Sequence, residues 1–230
     1  MVIKCIVQAR IASKRLPGKV LKKIRNKEIL LHIVEKLKRS KDIKKTIVAT
    51  STSKSDDKIE FFCKKKKLNY FRGSLQNVYK RYSDLLTNEK CDFFIRVCAD
   101  SPLVNEKIIK KLIFFLKHYK NKYDIYTNVF PRSFPKGISI EIISRKIFIE
   151  NIKNIKKKKF KEHVTKYFYA NSKKFKIFNL KFKKNYKNIN LSVDNANDFK
   201  LINYLYNIKN FNKLTLEQVI NKYRLLNEKN

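Results

Sequence analysis

Short apolar runs alternate with segments of helical period along the chain, and that alternation admits few folds. A parallel crossover needs a helix-length segment to return the chain, so such a pattern reads as successive βα units around a mainly parallel sheet with helices on both faces, an α/β protein. The runs that read as strands are 2–7, 46–49, 69–71, 93–97, 123–126, 138–142, 175–180 and 189–193. Between them Leu30, Ile33, Val34 and Leu37 share one helical face, as do Leu75, Val78, Tyr79, Tyr82 and Leu86. Ser74 is expected to cap the second of these helices and Asn105 to cap one running to about residue 119. Thr215 with Gln218 should form a capping box for the last helix, and Asp198 should sit in the first turn of the one before it. No repeat or flexible linker is visible, and 230 residues with 43% hydrophobic content suffice for one sizeable core and exclude a disordered chain. One domain over 1–230 is expected.

The first apolar run empties directly into Gln8-Ala9-Arg10-Ile11-Ala12-Ser13-Lys14-Arg15-Leu16-Pro17-Gly18-Lys19. In an open α/β sheet, ligands sit beyond the carboxyl ends of the strands. A loop there with Arg10, Lys14, Arg15 and Lys19 suggests a polyphosphate seat, and a nucleoside triphosphate as its ligand. The chain has only three glycines, Gly18, Gly73 and Gly137, and four prolines, Pro17, Pro102, Pro131 and Pro135, each at a predicted loop. Glycine permits close backbone approach and proline stiffens a turn, so these loops read as shaped, although ordinary turn chemistry would explain any one of them.

A formal net charge of +37 invites a nucleic-acid reading. The lysines, however, are spread over almost every segment, in a composition rich in Asn, Ile, Phe and Tyr, which fits a coding bias better than a built nucleic-acid surface. No secretory leader precedes the first strand, and the longest aliphatic or aromatic stretch, 112–116, is far shorter than a membrane span. A soluble, cytoplasmic protein is expected. Cys5, Cys63, Cys91 and Cys98 form no CxxC pair, so neither a zinc site nor a disulfide framework is indicated.

Asp100 and Asp194 each follow a strand-like run and should emerge at one rim of the sheet. Two carboxylates facing a triphosphate loop are what Mg²⁺ requires, with phosphate oxygens and water completing its octahedron. Taken singly, an aspartate after a strand is more often a turn or helix-cap residue.

In this order and spacing the residues resemble the cytidylyltransferase-like family that includes spore coat polysaccharide biosynthesis protein F, itself similar to 3-deoxy-manno-octulosonate and acylneuraminate cytidylyltransferases. The stretches that carry the resemblance begin with Gln8-Ala9-Arg10, Ser13, Arg15-Leu16-Pro17-Gly18-Lys19, Ala49-Thr50-Ser51 with Asp56-Asp57, and Phe71-Arg72-Gly73-Ser74. They continue with Arg81-Tyr82, Ile95-Arg96 with Ala99-Asp100-Ser101-Pro102, Phe134-Pro135-Lys136-Gly137 with Glu141, Glu162-His163-Val164-Thr165, and Val193-Asp194. The resemblance implies a nucleotide-diphospho-sugar transferase fold, GT-A-like and Rossmann-type, with residues 1–120 serving the nucleotide and 121–230 the acceptor sugar and a homodimer contact. It implies Mg²⁺-dependent attack of a sugar hydroxyl on the α-phosphate of CTP, giving a CMP-sugar and pyrophosphate for surface polysaccharide, the sugar being sialic-acid-like or otherwise acidic.

By motif position, Arg10 and Lys19 would hold the phosphates and, with Asp100, carry the catalysis. Asp100 and Asp194 would hold Mg²⁺. Gln8, Ala9, Ser13, Gly18, Ala49, Thr50, Ser51, Arg72, Gly73 and Arg96 would complete the nucleotide site. Glu141 and His163 would face the acceptor; otherwise they are an exposed strand-end carboxylate and a packed or capping histidine at the start of a helical segment. Cys98 reads as a buried strand residue rather than a nucleophile. Asn190, Asn197 and Lys80 depart from the family's usual residues and bear on acceptor identity. Two other classes stand beside this reading: a glycosyltransferase of related fold, against which the chain has no Asp-x-Asp, and a nucleic-acid-binding protein on the same fold.

Overall fold

A computed structural model describes residues 1–119 and 122–228. Its strands are β1 (Ile3–Gln8), β2 (Lys23–Ile24), β3 (Lys27–Glu28), β4 (Ile43–Ser51), β5 (Asn69–Gly73), β6 (Phe93–Cys98), β7 (Ile125–Thr127), β8 (Glu141–Ser144) and β9 (Ile177–Asn179). Its α-helices are α1 (Ile29–Lys38), α2 (Asp57–Lys65), α3 (Val78–Asn88), α4 (Glu106–His118), α5 (Arg145–Glu150), α6 (Lys158–Glu162), α7 (Lys166–Ala170), α8 (Ala196–Asn207) and α9 (Leu216–Glu228). Seven strands form one sheet in the order β5-β4-β1-β6-β8-β7-β9, parallel except where β8 runs antiparallel to β6 and β7. The sheet therefore combines strands from both sides of the 120/121 boundary, a boundary that itself lies outside the described residues.

Strand alternation divides the core in two. Cys5, Val7, Val48, Ile95 and Val97 face one layer with α1, α2, α4, α8 and α9, whereas Ile6, Ile47, Ala49 and Phe94 face the other with α3, α5, α6 and α7. Helices on both faces explain why the central strands read as unbroken apolar runs rather than as alternating ones. On the second face Phe148 of α5 is fully buried, stacked on Tyr79 and edge-on to Phe94.

Three local expectations are corrected. The 189–193 run is not a strand: Lys136 and Asn190 make an isolated parallel bridge, and the Val193 amide donates to the Asp100 carbonyl at 2.8 Å, so the segment is apolar because it packs. Asn77, not Ser74, caps α3 by accepting from the Lys80 amide, while the Ser74 hydroxyl accepts from the Asn77 amide one turn earlier. Leu75, ahead of the helix, is exposed. Asn105, the Thr215–Gln218 box and the Asp198 cap stand as expected. No helix among the described residues is long and apolar enough to cross a membrane.

Candidate active site

The carboxyl ends of β1, β4, β6 and β7 and the amino end of β8 meet at one rim, because β8 alone is reversed among its neighbours. The chain leaving β1 is pinned at Ala9, whose amide donates to the Ala49 carbonyl at 3.0 Å, and closes on itself where the Gly18 amide donates to the Ile11 carbonyl at 3.0 Å. Gly18 holds φ at +68°, a region that Cβ-bearing residues adopt at a cost of roughly 1–2 kcal/mol. Lys19 follows at once, turned inward and buried, while Arg10, Lys14 and Arg15 are exposed.

Gln8, Arg10, Ser13, Lys19, Asp100 and Asp194 line a single cavity of about 320 Å³, together with Lys14, Arg15 and Cys98. The Lys19 ammonium donates to Asp100 Oδ2 at 3.0 Å, Asp194 Oδ1 at 3.0 Å and the Val193 carbonyl at 2.7 Å. Arg15 lies 3.6 Å from the other oxygen of Asp194. Burial pushes the Asp194 carboxyl up, but the hydrogen bond and charge of Lys19, helped by Arg15 and Ser192, hold it below the ordinary carboxylate range. The Asp194 and Asn195 amides both donate to Asp198, whose capping box at the start of α8 fixes the direction in which Asp194 points. Two larger hollows lie elsewhere, one of about 400 Å³ near the start of α4 and one of about 650 Å³ beside Phe61; the second also gathers Lys23, Lys58, Lys65 and Lys66 with Glu28 and Asp57, but among the described residues Asp57 pairs with Arg72 instead and none of these lysines is clamped between two carboxylates.

Asp56 is a residue whose role the sequence did not declare. It is wholly buried and accepts from the Ile11 amide at 2.7 Å and from the amide and hydroxyl of Ser51, so it ties the cationic loop to the end of β4. Only its place beside Asp57 among the matching stretches marked it. Asp56→Ala is expected to destabilise the chain by about 2–4 kcal/mol, since the buried amide and hydroxyl of Ser51 and the partly buried amide of Ile11 lose their acceptor. Denaturant unfolding checks this.

Several expected nucleotide residues lie elsewhere. Ala49, Thr50 and Ser51 are buried beneath the rim. The Arg72 guanidinium turns onto α2, pairing with Asp57 and Glu60 and donating to the Ser51 and Ser53 carbonyls. Gly73 lies against Arg81, whose guanidinium donates to the Ser74 carbonyl. Donation from Lys64, Arg72 and Tyr70 brings the Glu60 carboxyl down to about 2. A carboxyl depressed on folding adds stability above its unfolded pKa, and that increment is lost as pH falls through the folded value. The Glu60 clamp is therefore expected to hold at pH 4 and release near pH 2, as carboxyl NMR would show, with the midpoint rising in Arg72→Ala.

Arg96 stands behind the cavity. It pairs with Glu141 at 2.5 Å and donates to Gln8 Oε1 at 3.3 Å and Cys98 Sγ at 3.4 Å, leaving its buried Nε without a partner among the described residues. Glu141 is not an exposed strand end. The reversed β8 places it opposite both Arg96 and Thr127, only 2% exposed, and Tyr169 donates to its other oxygen at 2.6 Å. Burial pushes the Cys98 thiol up to about 11, which leaves it protonated and a poor nucleophile at neutral pH. His163 closes α6, exposed and outside the residues that line the cavity.

Known proteins resemble this chain along most of its length. The chain is 36% identical over 214 residues to an uncharacterized protein of Methanocaldococcus jannaschii, covering 92% of this chain and 85% of that one. It is 29% identical to the spore coat polysaccharide biosynthesis protein SpsF of Bacillus subtilis, over 87% and 85% of the two chains. A solved cytidylyltransferase of Leptospira borgpetersenii superposes over 100% of this chain and 95% of that one, with a TM-score of 0.88 at 26% identity. The family model described as cytidylyltransferase matches residues 4–218, and the chain thus belongs to the cytidylyltransferase family, as a nucleotidyltransferase that uses CTP.

Proposed function

We propose that the protein is a magnesium-dependent CMP-sugar synthetase. A sugar hydroxyl attacks the α-phosphorus of CTP, the bond to the bridging oxygen of the β-phosphate breaks, the hydroxyl proton passes to solvent, and a CMP-sugar and pyrophosphate leave. The acceptor is a sialic-acid-like or other acidic sugar, and the product serves surface polysaccharide in the cytoplasm, in keeping with what SpsF is named for. Residues 1–120 serve the nucleotide, and 121–230 the acceptor and a homodimer contact.

The observation that carries this reading is the single cavity in which four cations of one loop meet the Asp100–Asp194 pair. Phosphoryl chemistry of this kind asks the protein for alignment and charge neutralisation rather than for a nucleophile. Arg10 and Lys14, exposed at the cavity and without an ion pair among the described residues, are suited to the charge that develops on pyrophosphate. The pair of aspartates fits a hard cation, because three oxygens already converge on the ammonium of Lys19. Magnesium held by Asp100 and Asp194 would neutralise phosphate oxygens and polarise the α-phosphorus. Gln8 lines the cavity with its side-chain carbonyl oxygen held by Arg96, which leaves its amide group as the donor it can offer a nucleotide.

An acidic acceptor is supported by Arg132, which is half-buried and held by Ser139 and the Pro135 carbonyl, with no carboxylate bonded to it among the described residues. Incubation with CTP, Mg²⁺ and a panel of acidic and neutral sugars, read by mass spectrometry, is expected to give a CMP-sugar and equimolar pyrophosphate with an acidic sugar. Consumption of a finished nucleotide sugar instead would make the protein a glycosyltransferase.

A further inference from the structure

Lys19 stands where a metal ion is wanted, its ammonium turned onto the two aspartates. Its three donor protons are all spent, on Asp100, Asp194 and the Val193 carbonyl, and its side chain is only 11% exposed. A divalent cation bridging the same two carboxylate oxygens would stand roughly 2 Å from each, inside the volume the ammonium fills. The two cations exclude each other by space as well as by charge. Yet Lys19 lines the same cavity as Arg10 and Lys14, and its flexible four-carbon stem can carry the ammonium from a carboxylate to a neighbouring phosphate.

We infer that Lys19 is a resident cation that closes the Asp100–Asp194 site until a triphosphate draws it away, so that metal and nucleotide bind as a coupled pair. This rests on the functional reading above. Without nucleotide, the ammonium neutralises the aspartates and keeps a free divalent ion out. With nucleotide, β- and γ-phosphate oxygens replace the carboxylates as acceptors for Lys19, and the freed aspartates receive the metal that accompanies the triphosphate. Coupling of this kind is reciprocal: the triphosphate raises metal affinity by the factor by which metal raises triphosphate affinity. Lys19 then holds phosphate in one state and carboxylate in the other.

Electron paramagnetic resonance of Mn²⁺ tests this without turnover. In the absence of nucleotide, Lys19→Met, which keeps the stem and removes the charge, is expected to bind Mn²⁺ about 10- to 100-fold more tightly than the unmodified protein. Lys19→Arg, which keeps a cation, is expected to stay closed, and Lys19→Met with Asp194→Asn to lose the gain. A non-hydrolysable CTP analogue is expected to tighten Mn²⁺ binding to the unmodified protein at least tenfold and to tighten it far less in Lys19→Met. Equal nucleotide-free Mn²⁺ affinity in the unmodified protein and Lys19→Met, with thermal melts showing both folded, would overturn the inference. Failure of the unmodified protein to bind CTP at any metal concentration would instead overturn the functional reading, and the nucleotide-free comparison would still decide whether Lys19 closes the site.

Discussion

Asp100→Asn and Asp194→Asn are each expected to lower metal-dependent pyrophosphate release by at least about 10²–10³-fold while leaving the fold intact. Both side chains are partly open to the cavity, 28% and 30% exposed, so an amide of the same shape can stand in either place without a buried charge being stranded. The amide oxygen still accepts from Lys19, which is why the circular dichroism spectrum and melting profile should change little. Turnover should change greatly, because a carboxylate is replaced by a neutral group at the point where phosphate charge must be neutralised. Retained turnover in either variant would remove that residue from the metal site.

The second large effect is expected at Gly137, far in sequence from both aspartates. Its φ is +85°, and a Cβ built there would lie 2.4 Å from the Leu191 carbonyl carbon and 2.5 Å from the Ser192 nitrogen. Both obstacles are backbone, so neither can swing aside. The 189–193 segment they belong to is bonded to Lys136 on one side and to the Asp100 carbonyl on the other, and it delivers Asp194 to the site. Gly137→Ala combines left-handed backbone strain with overpacking and is expected to destabilise the protein by about 2–5 kcal/mol. It should also displace Asp194 and reduce Mn²⁺ binding in the presence of CTP. Unfolding curves and Mn²⁺ titration check the two parts separately, and a variant with unchanged stability would show that the segment yields freely.

What was legible in the sequence follows from how each part is built. The four central strands are buried on both faces and read as apolar runs, and the loop after β1 announces itself by its charge. The 189–193 run misled because an apolar segment packed against a loop carries the same residues as a strand and differs only in where its amides are bonded. Glu141 could not be placed, because its burial depends on the reversal of β8 between β6 and β7. Arg72 carries the charge expected at a phosphate site, but Asp57 and Glu60, one α2 turn apart, claim it. The tie from Asp56 to the cationic loop and the Lys19 clamp escaped for a related reason: the residues they join lie 45, 81 and 175 positions apart, and no local pattern encodes a contact of that span.

The measurement that bears most directly on the central claim is calorimetric titration of the protein with CTP, UTP, ATP and GTP, with and without Mg²⁺, at a salt concentration high enough to suppress nonspecific attraction to a chain of net charge +37. Selective binding of CTP that strengthens with Mg²⁺ is the predicted result. Weak, base-indifferent binding that fades with salt would contradict it and return the protein to the nucleic-acid reading that its charge first suggests.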